Sequence, residues 1–196
     1  MSLTPAQRAA NLARIAQAAV ALERSRLVPA ELCTAQCIVE SAWLSKAPGN
    51  NPFGIKAKPG QPSVEVTTTE FLTPAQLARV RAAGRRILSA TAVPGGKLRV
   101  VLVDSFAAFP SLEDSFAAYG DLLIQGRHFR ARFARYLQHR SVEQLLAEMS
   151  GADGQPPYAT DPNYFSTVRS LMQQANVRAA LAAARSAVPV TSPGTS

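Results

Sequence analysis

Acidic residues are scarce in this 196-residue chain, which sets 13 Asp and Glu against 21 Lys and Arg for a net charge of +8. That imbalance argues against an acidic-surface protein and favours a polyanionic partner; nucleic acid, anionic lipid and the bacterial cell wall all qualify. Cysteine is almost absent. Cys33 and Cys37 stand four apart on one helical face, where a disulfide is geometrically awkward and two buried thiols are expected. With no second Cys or His cluster, and with His128 and His139 far from any such partner, we expect no metal site and no cofactor. Long apolar runs are missing too, which argues against a membrane span. Residues 1–26, interrupted by Arg8, Arg14 and Arg24, lack a secretory pattern, so an extracytoplasmic substrate would require another export route.

What is present centres on residues 33–44, a nearly all-apolar helical run with one carboxylate, Glu40, near its end. Leu32, Ala35, Ile38, Val39, Ala42 and Trp43 fill the faces that Cys33, Cys37 and Leu44 leave open, so this helix is expected to be buried on most sides. Burial and the negative end of the helix dipole both raise a carboxyl pKa, as a general acid working near neutral pH requires. A solvated last-turn glutamate is the competing reading. The following loop, residues 46–56, is rich in turn formers yet carries Phe53 and Ile55, which predicts that it folds back on the helix.

Glu40-Ser41-Ala42-Trp43 followed by Asn50-Asn51-Pro52-Phe53-Gly54-Ile55-Lys56 resembles the signature of glycoside hydrolase family 73, the glucosaminidases of bacterial autolysins and of the flagellar-rod peptidoglycan hydrolase. Val64-Glu65-Val66-Thr67-Thr68-Thr69-Glu70-Phe71, residues 106–119, and Tyr158-Ala159-Thr160-Asp161-Pro162-Asn163-Tyr164 resemble further stretches of the family in the same order. The resemblance implies Glu40 as the acid and Glu70 as the second carboxylate, with Glu65 its local competitor. Residues 65 and 70 are an odd number apart, so on a regular strand they face opposite sides. It also implies Tyr158 near the catalytic glutamate, and Trp43, Asn51, Phe53, Gly54 and Thr69 as substrate-binding positions. A packed aromatic is the alternative for Tyr158, and a core-shaping role for Trp43.

Along the chain, Thr4 and Gln7 form a capping box with Pro5 at the first helical position, starting a helix to about Arg24. Pro29 opens the Glu40 helix, and Pro48 and Gly49 close it. Residues 64–71 and 97–106 read as an antiparallel strand pair. Between them Thr73 and Gln76 repeat the capping box before a helix of about a dozen residues carrying Arg79, Arg81, Arg85 and Arg86. The family more usually joins these strands by a shorter polar hairpin; this basic insertion is either a substrate-contacting arm or a solvated helix. Residues 111–125 form a helix with Leu112, Phe116, Tyr119 and Leu123 inward. In residues 126–140, Phe129, Phe133 and Tyr136 mark one buried face and the arginines the others, a structural stripe in preference to a nucleic-acid platform. Ser141 caps a helix to Gly151, and Asp161 is placed as N-cap of one last long helix.

The expected architecture is mainly α with a small antiparallel β-lobe flanking a cleft, lysozyme-like: one glucosaminidase domain over residues 1–187, with the β-lobe and its inserted helix at about 61–106. Residues 188–196, rich in Pro, Ser, Thr and Gly, are expected to be a disordered tail or linker remnant. The resemblance implies an endo-β-N-acetylglucosaminidase acting on peptidoglycan glycan strands in the cell wall, periplasm or exterior, as a monomer. A wall-binding module without turnover is the alternative, and a basic nucleic-acid-binding domain is a third reading that rests on charge alone.

Overall fold

The computed structural model describes residues 3–159 and 161–187, and the expected tail at 188–196 lies outside them. Its first helix, α1 (Pro5–Arg26), begins at the anticipated capping box. The Thr4 hydroxyl accepts from the Gln7 amide at 3.2 Å, and the Gln7 side chain accepts from the Thr4 amide at 2.8 Å. Leu12, Ile15, Ala16, Ala19, Val20 and Leu22 form its buried stripe. The second helix, α2 (Ala30–Ser41), is buried at every position from Leu32 to Ile38, as its apolar composition requires. Each large apolar side chain buried there stabilises the fold by roughly 1.5–3 kcal/mol.

Helix α2 ends seven residues before Pro48, where the sequence had suggested its stop. Ala42, Trp43 and Leu44 all adopt left-handed φ values of 47°, 62° and 64°, a conformation that costs about 1–2 kcal/mol for each such residue. Hydrogen bonds hold it. The Ala42 and Trp43 amides donate to Ile38 O, the Ser41 hydroxyl donates to Cys37 O and accepts from the Leu44 amide, and Asn11 Nδ2 donates to Trp43 O at 2.8 Å.

The described residues form two compact units, one within 3–53 and 110–187, the other residues 54–109. In the first, α1 and α2 pack with α4 (Leu112–Gln125), α5 (Arg130–His139), α6 (Val142–Ala147), α7 (Tyr164–Gln173) and α8 (Ala175–Ser186), while α6 runs on into a π-helical turn at Glu148–Ala152. Gly120 on α4 lets that helix approach α1 closely, since a Cβ there would meet Leu22 Cδ1 at 2.6 Å. The single last helix expected after Asp161 is two helices broken at Gln174. Its N-cap is Asn163, while the Asp161 carboxylate accepts from the Asn163 amide at 2.9 Å. After the break, Arg185 on α8 pairs with Glu23 and Glu31.

The second unit is a three-stranded antiparallel sheet in the order β1 (Ser63–Leu72), β3 (Lys97–Ala107), β2 (Arg86–Val93), with α3 (Pro74–Ala82) inserted between β1 and β2. Thr73 and Gln76 cap α3 reciprocally. The helix is shorter than expected: Arg85 and Arg86 fall beyond it, and Arg86 begins the unanticipated β2. That strand is exposed at most positions and its register shifts between Ile87 and Ser89, so it lacks the alternation that marks a half-buried strand. Leu77 of α3 packs with Val100 and Leu102 of β3, and Leu72, Ile87 and Leu98 complete this small core.

Candidate active site

Glu40 is in the last turn of α2, exposed as a residue, one helical turn beyond the fully buried Gln36. Residues four apart share a helical face, and here that face meets the start of α7. The Tyr164 hydroxyl donates to Glu40 Oε1 at 2.8 Å; Gln36 Nε2 donates to the Tyr164 hydroxyl at 3.3 Å; the Tyr119 hydroxyl donates to Gln36 Oε1 at 2.5 Å. Each donor in the chain points toward the carboxylate. Phe53 closes the buried end, stacked on Tyr119 with ring centroids 4.1 Å apart and edge-on to Phe116 at 4.9 Å.

Packing around the Glu40 carboxyl pushes its pKa above the ordinary glutamate value, and the Tyr164 hydrogen bond pulls against that rise. Burial raises the pKa of Tyr119, Tyr158 and Tyr164 as well, so all three are neutral donors at physiological pH. Cys37, one turn before Ser41, is pushed up to about 12 by burial and stays a thiol. Of the titratable groups in this cluster, the Glu40 carboxyl is the one ordinarily ionised at neutral pH, and burial shifts its pKa upward.

Tyr158 is half-buried beside the cluster, its ring 5.6 Å from those of Tyr164 and Phe129. The hydroxyl bonded to Glu40 is that of Tyr164, six residues on in the same motif. Tyr158 is reached through a loop fixed by a buried arginine. Arg132 is 2% exposed, its Nε and Nη2 donate to the two Asp153 oxygens at 2.8 and 2.7 Å, and it also donates to Pro156 O. The Tyr158 amide then donates to Met149 O at 2.8 Å. The helical stripe expected in α5 is corrected accordingly: Phe133 and Tyr136 are buried, Phe129 is half-buried, and Arg132 lies inside because a bidentate carboxylate receives it. The Arg132 guanidinium holds the Asp153 carboxyl well below the usual range.

The other anticipated positions divide by burial. Asn51 is buried at 3% exposure and Phe53 at 9%. Trp43 is half-buried and lines a groove of about 450 Å³ with Pro5, Arg8, Leu12, Gln174 and Asn176. Within the sheet unit, Gly54 takes a left-handed φ of 62°, which favours glycine. Thr69 is exposed on β1. Glu70 pairs across the ladder with Val100, and Glu65 with Ser105, which places the two glutamates on opposite faces, as their odd spacing requires. Glu65 binds Arg86 at 3.1 Å on the exposed side. Asp104 is buried and paired with both Lys56 and Arg85.

Tyr164, Gln36 and Tyr119 were not singled out from sequence as site residues. Gln36 carried a readable signal, an amide inside an apolar helix four residues before the key carboxylate. Tyr119 has the spacing of a core stripe, and only the fold shows that its hydroxyl serves the site.

A mainly helical domain with a small antiparallel sheet and a tyrosine-held carboxyl at a helix end has the features of a lysozyme-like glycosidase. The glucosaminidase family profile, described as mannosyl-glycoprotein endo-beta-N-acetylglucosaminidase, matches residues 16–177, and the chain belongs to this family. Among solved structures it is similar to a C-terminally truncated glycoside hydrolase domain of Salmonella typhimurium FlgJ, at 26% identity and TM-score 0.57, covering 85% of this chain and 96% of that one. The catalytic domain of the autolysin Auto from Listeria monocytogenes shares 22% identity at TM-score 0.61, with 92% and 90% covered. A peptidoglycan hydrolase mutant from Sphingomonas sp. A1 shares 21% identity at TM-score 0.54, with 89% and 99% covered. No curated protein matches by sequence. Among the described residues, no helix is long and apolar enough to cross a membrane.

Proposed function

We propose that this protein is a peptidoglycan hydrolase, an endo-β-N-acetylglucosaminidase that cleaves the β-1,4 bond from GlcNAc to MurNAc. The observation that carries this reading is the Glu40 carboxyl, raised in pKa by its packing and held by Tyr164, in a chain of the glucosaminidase family. In the reaction Glu40 gives its proton to the leaving glycosidic oxygen. Glu70 is the carboxylate proposed to assist the attack of water on the anomeric carbon, which leaves a GlcNAc reducing end. The Tyr164 hydroxyl keeps the acid oriented and stabilises the carboxylate left after proton transfer.

Tyr158 contributes the aromatic wall beside Tyr164, and Trp43, Gly54 and Thr69 are the positions proposed to meet sugar. Asn51 and Phe53 act from beneath, Phe53 by fixing Tyr119. The substrate places the working enzyme in the cell wall, periplasm or exterior.

The test is to digest purified peptidoglycan, reduce the products with borohydride and identify the reduced end sugar. Reduced GlcNAc ends are expected. Reduced MurNAc ends would make the enzyme a muramidase, and wall binding without product release would make it a binding module.

A further inference from the structure

The insertion between β1 and β2 sits on a particular face of its sheet. In an antiparallel ladder, directly paired residues share a face. Glu70 pairs with Val100, Thr68 with Leu102 and Leu72 with Leu98. Val100 and Leu102 are the residues that receive Leu77 of α3, with Leu72 and Leu98 beside them. Helix α3 therefore lies on the sheet face that carries Glu70. Lys97 and Arg99 alternate to the other face.

Charge on this element is one-sided. Residues 71–103 hold six cations, Arg79, Arg81, Arg85, Arg86, Lys97 and Arg99, and no Asp or Glu. Arg85 is engaged by Asp104 and Arg86 by Glu65. Arg79 and Arg81, both exposed in the last turn of α3, are in no ion pair among the described residues. Their position complements the helix dipole, an effect worth a few tenths of a kcal/mol that either one alone supplies.

We propose that α3 recognises the peptide-bearing form of the glycan, with Arg79 and Arg81 binding the carboxylates of stem peptides next to the bond served by Glu70. This rests on the function proposed above and adds the substrate feature that the enzyme selects. Stem peptides hang from every second sugar and carry free carboxylates, and a guanidinium pairs with a carboxylate through two parallel hydrogen bonds.

The experiment compares native peptidoglycan with the same material whose peptide carboxylates have been amidated with carbodiimide and ammonium. Wild type and the double variant Arg79→Gln, Arg81→Gln are assayed for product release and for co-sedimentation at low and high salt. Glutamine keeps helix propensity, and a thermal melt reports any loss from the helix dipole. At low salt, wild type is expected to prefer native over amidated substrate by about five- to tenfold in kcat/KM, the scale of two exposed ion pairs. The preference falls toward one in the variant and in high salt. Equal cleavage of both substrates by wild type, or an unchanged preference in the variant, would overturn the proposal. Selective sedimentation of wild type with native material but no product release would instead refute the hydrolase reading and leave the recognition surface standing.

Discussion

Replacing Tyr164 by Phe separates the acid's chemistry from its scaffolding. The tyrosine is 6% exposed, its hydroxyl donates to Glu40 at 2.8 Å and accepts from Gln36, which is fully buried. A hydrogen bond to a charged group contributes about 1.5–3 kcal/mol. Glu40 is solvent-exposed as a residue, so screening brings the expected loss to about 1 kcal/mol, a factor of about five in the ionisation equilibrium. The sign follows from linkage. Packing already raises the folded-state pKa of Glu40, so ionising it costs stability as pH climbs above the ordinary glutamate value. The Tyr164 bond offsets part of that cost, and removing it raises the pKa further. In the Phe variant the alkaline limb of kcat/KM against pH is expected to move to higher pH. Gln36 Nε2 also loses an acceptor, costing about 1–3 kcal/mol and lowering Tm by roughly 3–10 °C in a chain of this size. A limb that stays in place, or moves to lower pH, while Tm falls would refute the assignment of that limb to Glu40 restrained by Tyr164.

Other perturbations test other parts of the account. Gly120→Ala forces a methyl against Leu22 and is expected to destabilise by about 1–3 kcal/mol in urea denaturation with the far-UV spectrum unchanged. Arg132→Met removes the bidentate partner of Asp153 and leaves it Arg135 alone as an ion pair, and is expected to cost about 1–3 kcal/mol at neutral pH. Because Arg132 holds the Asp153 pKa below its unfolded value, this stabilisation is full above about pH 4 and fades as pH falls, so wild type and variant melts should converge in acid. Glu70→Gln is expected to reduce turnover about 100-fold or more, and Glu65→Gln, on the opposite sheet face and paired with Arg86, by less than about threefold. A larger effect at Glu65 would exchange the two roles.

Much of the fold was legible because local chemistry and tertiary packing agree. The Thr4 and Thr73 capping boxes, the Ser141 cap and the alternation in β1 and β3 each satisfy backbone groups or bury one face in a way that the neighbouring fold also demands. The missed features are set at long range. Nothing local stops α2 at Ser41, since its left-handed turn uses Ala, Trp and Leu where glycine would be expected, and Asn11 from α1 helps to hold it. Strand β2 exists because β3 offers it a ladder. Arg132 is inside because Asp153, 21 residues away, meets it there. The site divides the same way: Glu40 is conspicuous as a lone carboxylate in an apolar run, whereas Tyr164 reaches it across 124 residues and Tyr119 reaches Gln36 across 83.

The central claim is that Glu40 acts as the acid in glycan cleavage. Its most direct test is soluble fragment release from purified peptidoglycan by wild type and by Glu40→Gln, with the fold of each checked by circular dichroism and thermal melting. Glutamine retains an oxygen for the Tyr164 hydroxyl and has no proton to give. The account predicts a folded variant that binds the wall and releases fragments about 100- to 10,000-fold more slowly than wild type. A folded variant with wild-type release would contradict it.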